Sequence, residues 1–164
     1  MRIIALALVV MSSSAFADKP LAAKSGAAMC VLTTDDFKTA GVAGADKPKV
    51  NVSDAANVYC VYSGKSSATG GIELDVFFPA GASDVDVKET ERIASGEAGL
   101  LKPLKLAGVD SATWSPTAKS GGPEFALVIV RRGSLVFVLG IPKHKDSEAQ
   151  LTKLATLVLA RLAK

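Results

Sequence analysis

Histidine, tryptophan and cysteine are scarce in this chain, with one, one and two copies among 164 residues, and aromatic residues make up only 5%. A lone histidine leaves no His pair for a zinc site, and neither C-x-x-C nor H-x-H occurs. With so few aromatic rings, platforms for stacking bases or sugars are thinly supplied. Two cysteines exclude a disulfide-dense scaffold, and glycine without a period excludes a collagen-like chain. The longest unbroken apolar run, residues 3–11, falls well short of the roughly 20 residues needed to cross a bilayer of about 30 Å. Charged residues are 21% and the net charge is +3, too little to mark a nucleic-acid binder. No G-x-S-x-G elbow, G-x-x-x-x-G-K-[ST] loop or G-x-G-x-x-G turn is present, and Gly64-Lys65-Ser66 lacks the earlier glycine of a phosphate cradle.

What is abundant is apolar side chain, 49% of the total, enough for one domain with a substantial core. The amino terminus sets the compartment. Met1-Arg2 is a positive start, residues 3–11 are the apolar run, and Ser12-Ser13-Ser14-Ala15-Phe16-Ala17 ends in a small-x-small cleavage pattern. Residues 1–17 read as a signal peptide cleaved after Ala17, with an uncleaved anchor as the alternative. The residue after the cleavage point is Asp18, not the cysteine a lipid anchor requires. Cleavage leaves 18 basic against 16 acidic residues, a net charge of +2. The product is expected in the periplasm or outside the cell, where two cysteines have one pairing, Cys30–Cys60. The enclosed loop of 31 residues corresponds to about 3.5–4 kcal/mol in the chain-entropy model.

After a flexible leader over residues 18–29, residues 30–164 read as one α+β domain, a central antiparallel sheet with helices packed on it. Thr33-Thr34-Asp35-Asp36 opens a short helix that Gly41 ends. A brief edge strand falls at residues 50–52, and residues 58–63 form a strand carrying Cys60 before a turn at residues 64–67. Ile72, Leu74, Val76 and Phe78 alternate with Glu73 and Asp75, the pattern of a strand with one buried face. A helix is expected over residues 83–99, and a turn at Gly108 leads to a short strand that Pro116 ends. The runs 125–130 and 135–139 flank Arg131-Arg132-Gly133-Ser134 as a hairpin at the centre of the sheet, apolar on both faces. Ser147-Glu148-Ala149-Gln150 fits a capping box. Leu151, Leu154, Ala155, Val158 and Leu162 form the apolar stripe of the helix that follows, with Arg161 complementing its dipole.

On this reading Val128, Val130, Val136 and Val138 share one face of the hairpin, and Leu127, Ile129, Phe137 and Leu139 share the other. The terminal helix covers one face. The other requires a roof from residues 84–99, a long loop, a ligand or a partner.

No catalytic residue, metal ligand set or cofactor site emerges. Asp35-Asp36 and Asp84-x-Asp86 read as charge in first helical turns. His144, between Lys143 and Lys145, is the one side chain suited to acid–base work near neutral pH. It serves either an active loop or simply an exposed connection. Arg131 and Arg132 form a second basic spot, about 25 Å away along one strand. Trp114 is either a core anchor or a ligand platform. These six residues are the candidate binding positions.

Cys30-Val-Leu-Thr-Thr-Asp-Asp-Phe37 resembles the "C-x-L-T, acidic, short helix, Gly" opening of small exported two-cysteine domains of unknown function in the bacterial cell envelope. Val58-Tyr-Cys-Val-Tyr62 is similar to their second-cysteine strand. Gly108-Val-Asp-Ser-Ala112 followed by Trp114 resembles their G-x-G-D-x-A turn, without its second glycine. The resemblance spans residues 30–162. Such domains are common among actinobacterial envelope lipoproteins, although this chain has no lipobox. The resemblance implies a PsbP-like fold and a non-catalytic role, and it brings no catalytic residues. The expected function is that of an exported binding or accessory protein, its partner an envelope protein or a small apolar ligand. No nucleic acid and no membrane span are expected, and the chain reads as a monomer. The alternatives are a small periplasmic enzyme or enzyme inhibitor acting through the loop around His144, and a self-associating structural subunit.

The disulfide is directly testable. Thiol titration of the unfolded, unreduced protein should find no free thiol, and two per chain would contradict the pairing.

Overall fold

A computed structural model describes residues 26–54, 57–63, 71–77, 101–118 and 124–162. Among these, seven strands form one antiparallel sheet: β1 (Lys49–Asp54), β2 (Asn57–Ser63), β3 (Ile72–Phe77), β4 (Lys102–Pro103), β5 (Ser111–Ala118), β6 (Phe125–Arg132) and β7 (Leu135–Pro142). Their spatial order is β1-β2-β3-β7-β6-β5-β4. A 3-10 turn (Gly26–Met29) and two helices, α1 (Thr34–Ala40) and α2 (Ser147–Leu162), complete the described elements. The signal peptide expected over residues 1–17, the turn at 64–67 and the helix over 83–99 lie outside the described residues.

The central hairpin decides which side chains meet. Arg132 pairs with Leu135, so the connection is only Gly133-Ser134. Gly133 has φ 57 and, among the described residues, no non-glycine residue has a positive φ, the pattern of a type II′ turn with glycine at its first central position. This two-residue connection places Val128 opposite Leu139 and Val130 opposite Phe137. The expected grouping of the four valines is therefore corrected. Val128, Val130, Phe137 and Leu139 share the face that bears the helices, whereas Leu127, Ile129, Val136 and Val138 share the other. A connection two residues long brings strand positions of unlike parity together, and side chains alternate faces with a period of two. Both strands are buried nearly throughout, as expected for the middle of a sheet.

A continuous row crosses the sheet on the helix face: Val50, Cys60, Leu74, Leu139, Val128, Trp114 and Lys102. Over its β5–β7 side lies α2, with Leu151, Leu154, Ala155, Val158 and Leu162 all buried. At about 1.5 Å per residue the helix matches the length of the eight-residue strands beneath it. Over the β2 side lies α1, whose Phe37 ring sits 4.7 Å from that of Tyr62. Tyr59 and Tyr62, an odd number of residues apart, face opposite ways. Tyr62 is fully buried and Tyr59 only partly. Burial pushes ionisation of the Tyr62 hydroxyl well above its ordinary range.

The disulfide Cys30–Cys60 forms as expected, with Cα atoms 5.7 Å apart. It ties the segment before α1 to the middle of β2. That segment is more ordered than a loose leader: the 3-10 turn begins at Gly26, and Met29 is only 1% exposed. Burying Met29, Leu32 and Phe37 stabilises this layer by about 1.5–3 kcal/mol per side chain.

Two strands differ from expectation. β5 runs through Pro116 to Ala118, because a bulge between Ser115 and Ala118 accommodates the proline's missing donor. Two-residue β4 carries no sequence signal of its own and pairs with Thr113 and Trp114 of β5.

Side-chain bonds join the two helices. At the start of α1, Thr33 and Asp36 form a reciprocal capping box, and Gly41 ends the helix in the left-handed region at φ 81. Gln150 does not complete the expected capping box with Ser147. Its amide donates instead to the Gly41 carbonyl (2.9 Å), while the Ser147 hydroxyl bonds back to the His144 backbone. At the other end of α2, Arg161 grips the Asp36 carboxylate with both terminal nitrogens, Nη2 at 2.7 Å, and Nη1 also donates to the Val31 carbonyl (2.6 Å). A bidentate arginine–carboxylate pair is the strong form of this contact.

The hydrogen bonds from Arg161, together with those from the Thr33 backbone and hydroxyl, hold the Asp36 carboxyl down at about 2, against burial pulling the other way. A carboxyl lowered on folding stabilises the fold fully above its unfolded value near 4, and that stability disappears as pH falls from there towards 2. The denaturant midpoint should therefore drop across that window. Asp36→Asn should cost about 1–3 kcal/mol at neutral pH and flatten the drop. An unchanged acid profile in the variant would contradict this assignment.

Candidate functional site

The expected binding positions fall into three separate places. Arg131 and Arg132 stand at the turn end of the central hairpin, beside the loop that precedes β5. Gly108, at φ 71, bends that loop so that the Asp110 amide donates to the Arg131 carbonyl (2.9 Å). The Asp110 carboxylate accepts from the Gly133 amide (2.6 Å) and lies 3.7 Å from Arg131 Nη1. One aspartate thus stitches the start of β5 to the hairpin turn. Arg131 projects from the face opposite the helices, in register with Ser111 and Val136.

Lys143, His144 and Lys145 occupy the other end of the hairpin, between β7 and α2. Lys143 reaches back to Glu124, with Nζ 2.6 Å from Oε2, and its backbone amide also donates to the Glu124 carbonyl. The His144 amide donates to the Ser147 hydroxyl (2.8 Å), which donates in turn to the His144 carbonyl (2.8 Å). His144 Nδ1 accepts from the Asp146 amide (3.3 Å) and lies 3.5 Å from the Asp146 carboxylate. The ring is about half exposed, at 54%. An eight-residue strand, about 26 Å long, separates this loop from Arg131 and Arg132.

Trp114 lies in the core on the helix face, 8% exposed. Lys102, its register partner on β4, holds its ammonium 5.7 Å from the ring centroid. A cation at that distance is attracted by the ring's negative face and covers it at the sheet edge.

The face opposite the helices is graded across the strands. On β2 and β3 it carries Tyr59, Glu73 and Asp75, with the Tyr59 hydroxyl donating to the Glu73 carboxylate. At its centre Phe125, Leu127, Ile129 and Val136 are buried as a second apolar cluster, with Phe77, Leu101 and Val138 packed against it. On β5 it ends in Thr113 and the fully buried Ser115, whose hydroxyl accepts from the Thr117 amide (3.4 Å). Gly140 interrupts the side chains between Glu73 and Leu127 in the row that joins them. Among the described residues no group of three or more His, Cys, Asp or Glu side chains could hold a metal ion, and no helix is long and apolar enough to cross a membrane.

Sequence reasoning located the two basic ends of the hairpin but missed the acids that hold them. Asp110 pairs with a residue on another strand, and Glu124 with one at the far end of β7. The Gly-x-Asp turn at Gly108 was the one available signal for the first. No family model matches the chain, and neither a curated protein nor a solved structure matches it.

Asp110→Ala removes an acceptor from the Gly133 amide and a counter-charge from Arg131. It should lower stability by about 1–2 kcal/mol and speed hydrogen exchange at the Gly133 amide. Unchanged protection there would show that the stitch has no energetic role.

Proposed function

We propose that the chain is an exported, non-catalytic binding or accessory protein of the bacterial cell envelope, a cystine-stapled scaffold that offers the loop ends of its central hairpin to a partner. One observation carries this reading. At the two ends an acid is joined to a neighbouring base, Asp110 to Arg131 and Glu124 to Lys143, and the Asp146 amide donates to His144 Nδ1. Such pairs shape and stiffen loops, whereas acid–base catalysis needs two groups converging on one reacting atom. The partner is an envelope protein or a small apolar ligand.

Export rests on residues 1–17, and the disulfide supports it, since such bonds persist in oxidising compartments. A disulfide without a long apolar helix among the described residues is compatible with a secreted or periplasmic protein. The finer fold assignment, PsbP-like, belongs to the same proposal and rests on the sequence resemblance over residues 30–162.

The test is cross-linking in living cells of the full-length chain carrying a carboxy-terminal tag. The expected result is a processed protein beginning at Asp18 that captures one envelope component in stoichiometric amount, with Lys143→Glu and Arg132→Glu reducing capture. A retained Met1 would overturn cleavage after Ala17 in favour of the uncleaved anchor, and recovery of the tagged chain from the cytoplasm would overturn export. Turnover of a substrate that His144→Ala abolishes would overturn the non-catalytic reading.

A further inference from the structure

We draw no further inference here: the strongest candidate, the apolar cluster of Phe125, Leu127, Ile129 and Val136 on the sheet face opposite the helices, carries nothing because these side chains are already buried and nothing among the described residues shows what covers them.

Discussion

The register of the β6–β7 hairpin is the constraint on which the other contacts depend. A two-residue connection with glycine in the left-handed region leaves no freedom in how the strands align. Because side chains alternate along a strand, a slip of one residue would carry Phe137 and Leu139 away from α2 and bring Val136 and Val138 beneath it. Every other strand is aligned, directly or through a neighbour, on this pair. The row that ends at Trp114 and Lys102 on one side ends at Cys60 and Val50 on the other. The cysteine that receives the disulfide therefore faces the helix layer only because β7 faces the way it does.

On that layer the stabilising contacts are concentrated on one segment. Residues 26–42 are held by the disulfide at Cys30, by Arg161 on Asp36 and the Val31 carbonyl, by Gln150 on the Gly41 carbonyl, and by burial of Met29, Leu32 and Phe37. These contacts share neighbours, so their contributions are coupled rather than additive. The covalent tie acts mainly by restricting the unfolded chain, whereas the ion pair and the apolar contacts act on the folded state. The segment is thus secured by mechanisms that respond to different conditions, namely reductant, acid and temperature.

Much of this was legible along the chain. The alternation at residues 72–77, the two apolar runs, the helical stripe from Leu151 to Leu162 and the Thr33 start of α1 are local patterns, and local patterns survive folding when burial supports them. What escaped was relational. Placing all four valines on one face missed the parity of the pairing, since a connection of two residues, like one of four, sets even-numbered positions of β6 opposite odd-numbered positions of β7. Arg161 read as a dipole complement because its partner Asp36 lies 125 residues away. Gln150 read as half of a cap because Gly41 lies 109 residues away. β4 is two residues of ordinary composition that become a strand only because Trp114 and Thr113 lie beside them. The candidate site was legible to the same degree. Its basic residues were visible in the sequence, and the acids that fix them came to light only with the strand pairing.

The most direct test of the account is the cross-strand pairing itself, read as inter-strand proton contacts by NMR on the oxidised, isotope-labelled protein. The account predicts Val128 opposite Leu139 and Val130 opposite Phe137, with Phe137 and Leu139 also touching α2. Val130 found opposite Val136, with the valines of both strands on one face, would contradict it and would reassign the helix layer, the second apolar cluster and the position of Arg131 together.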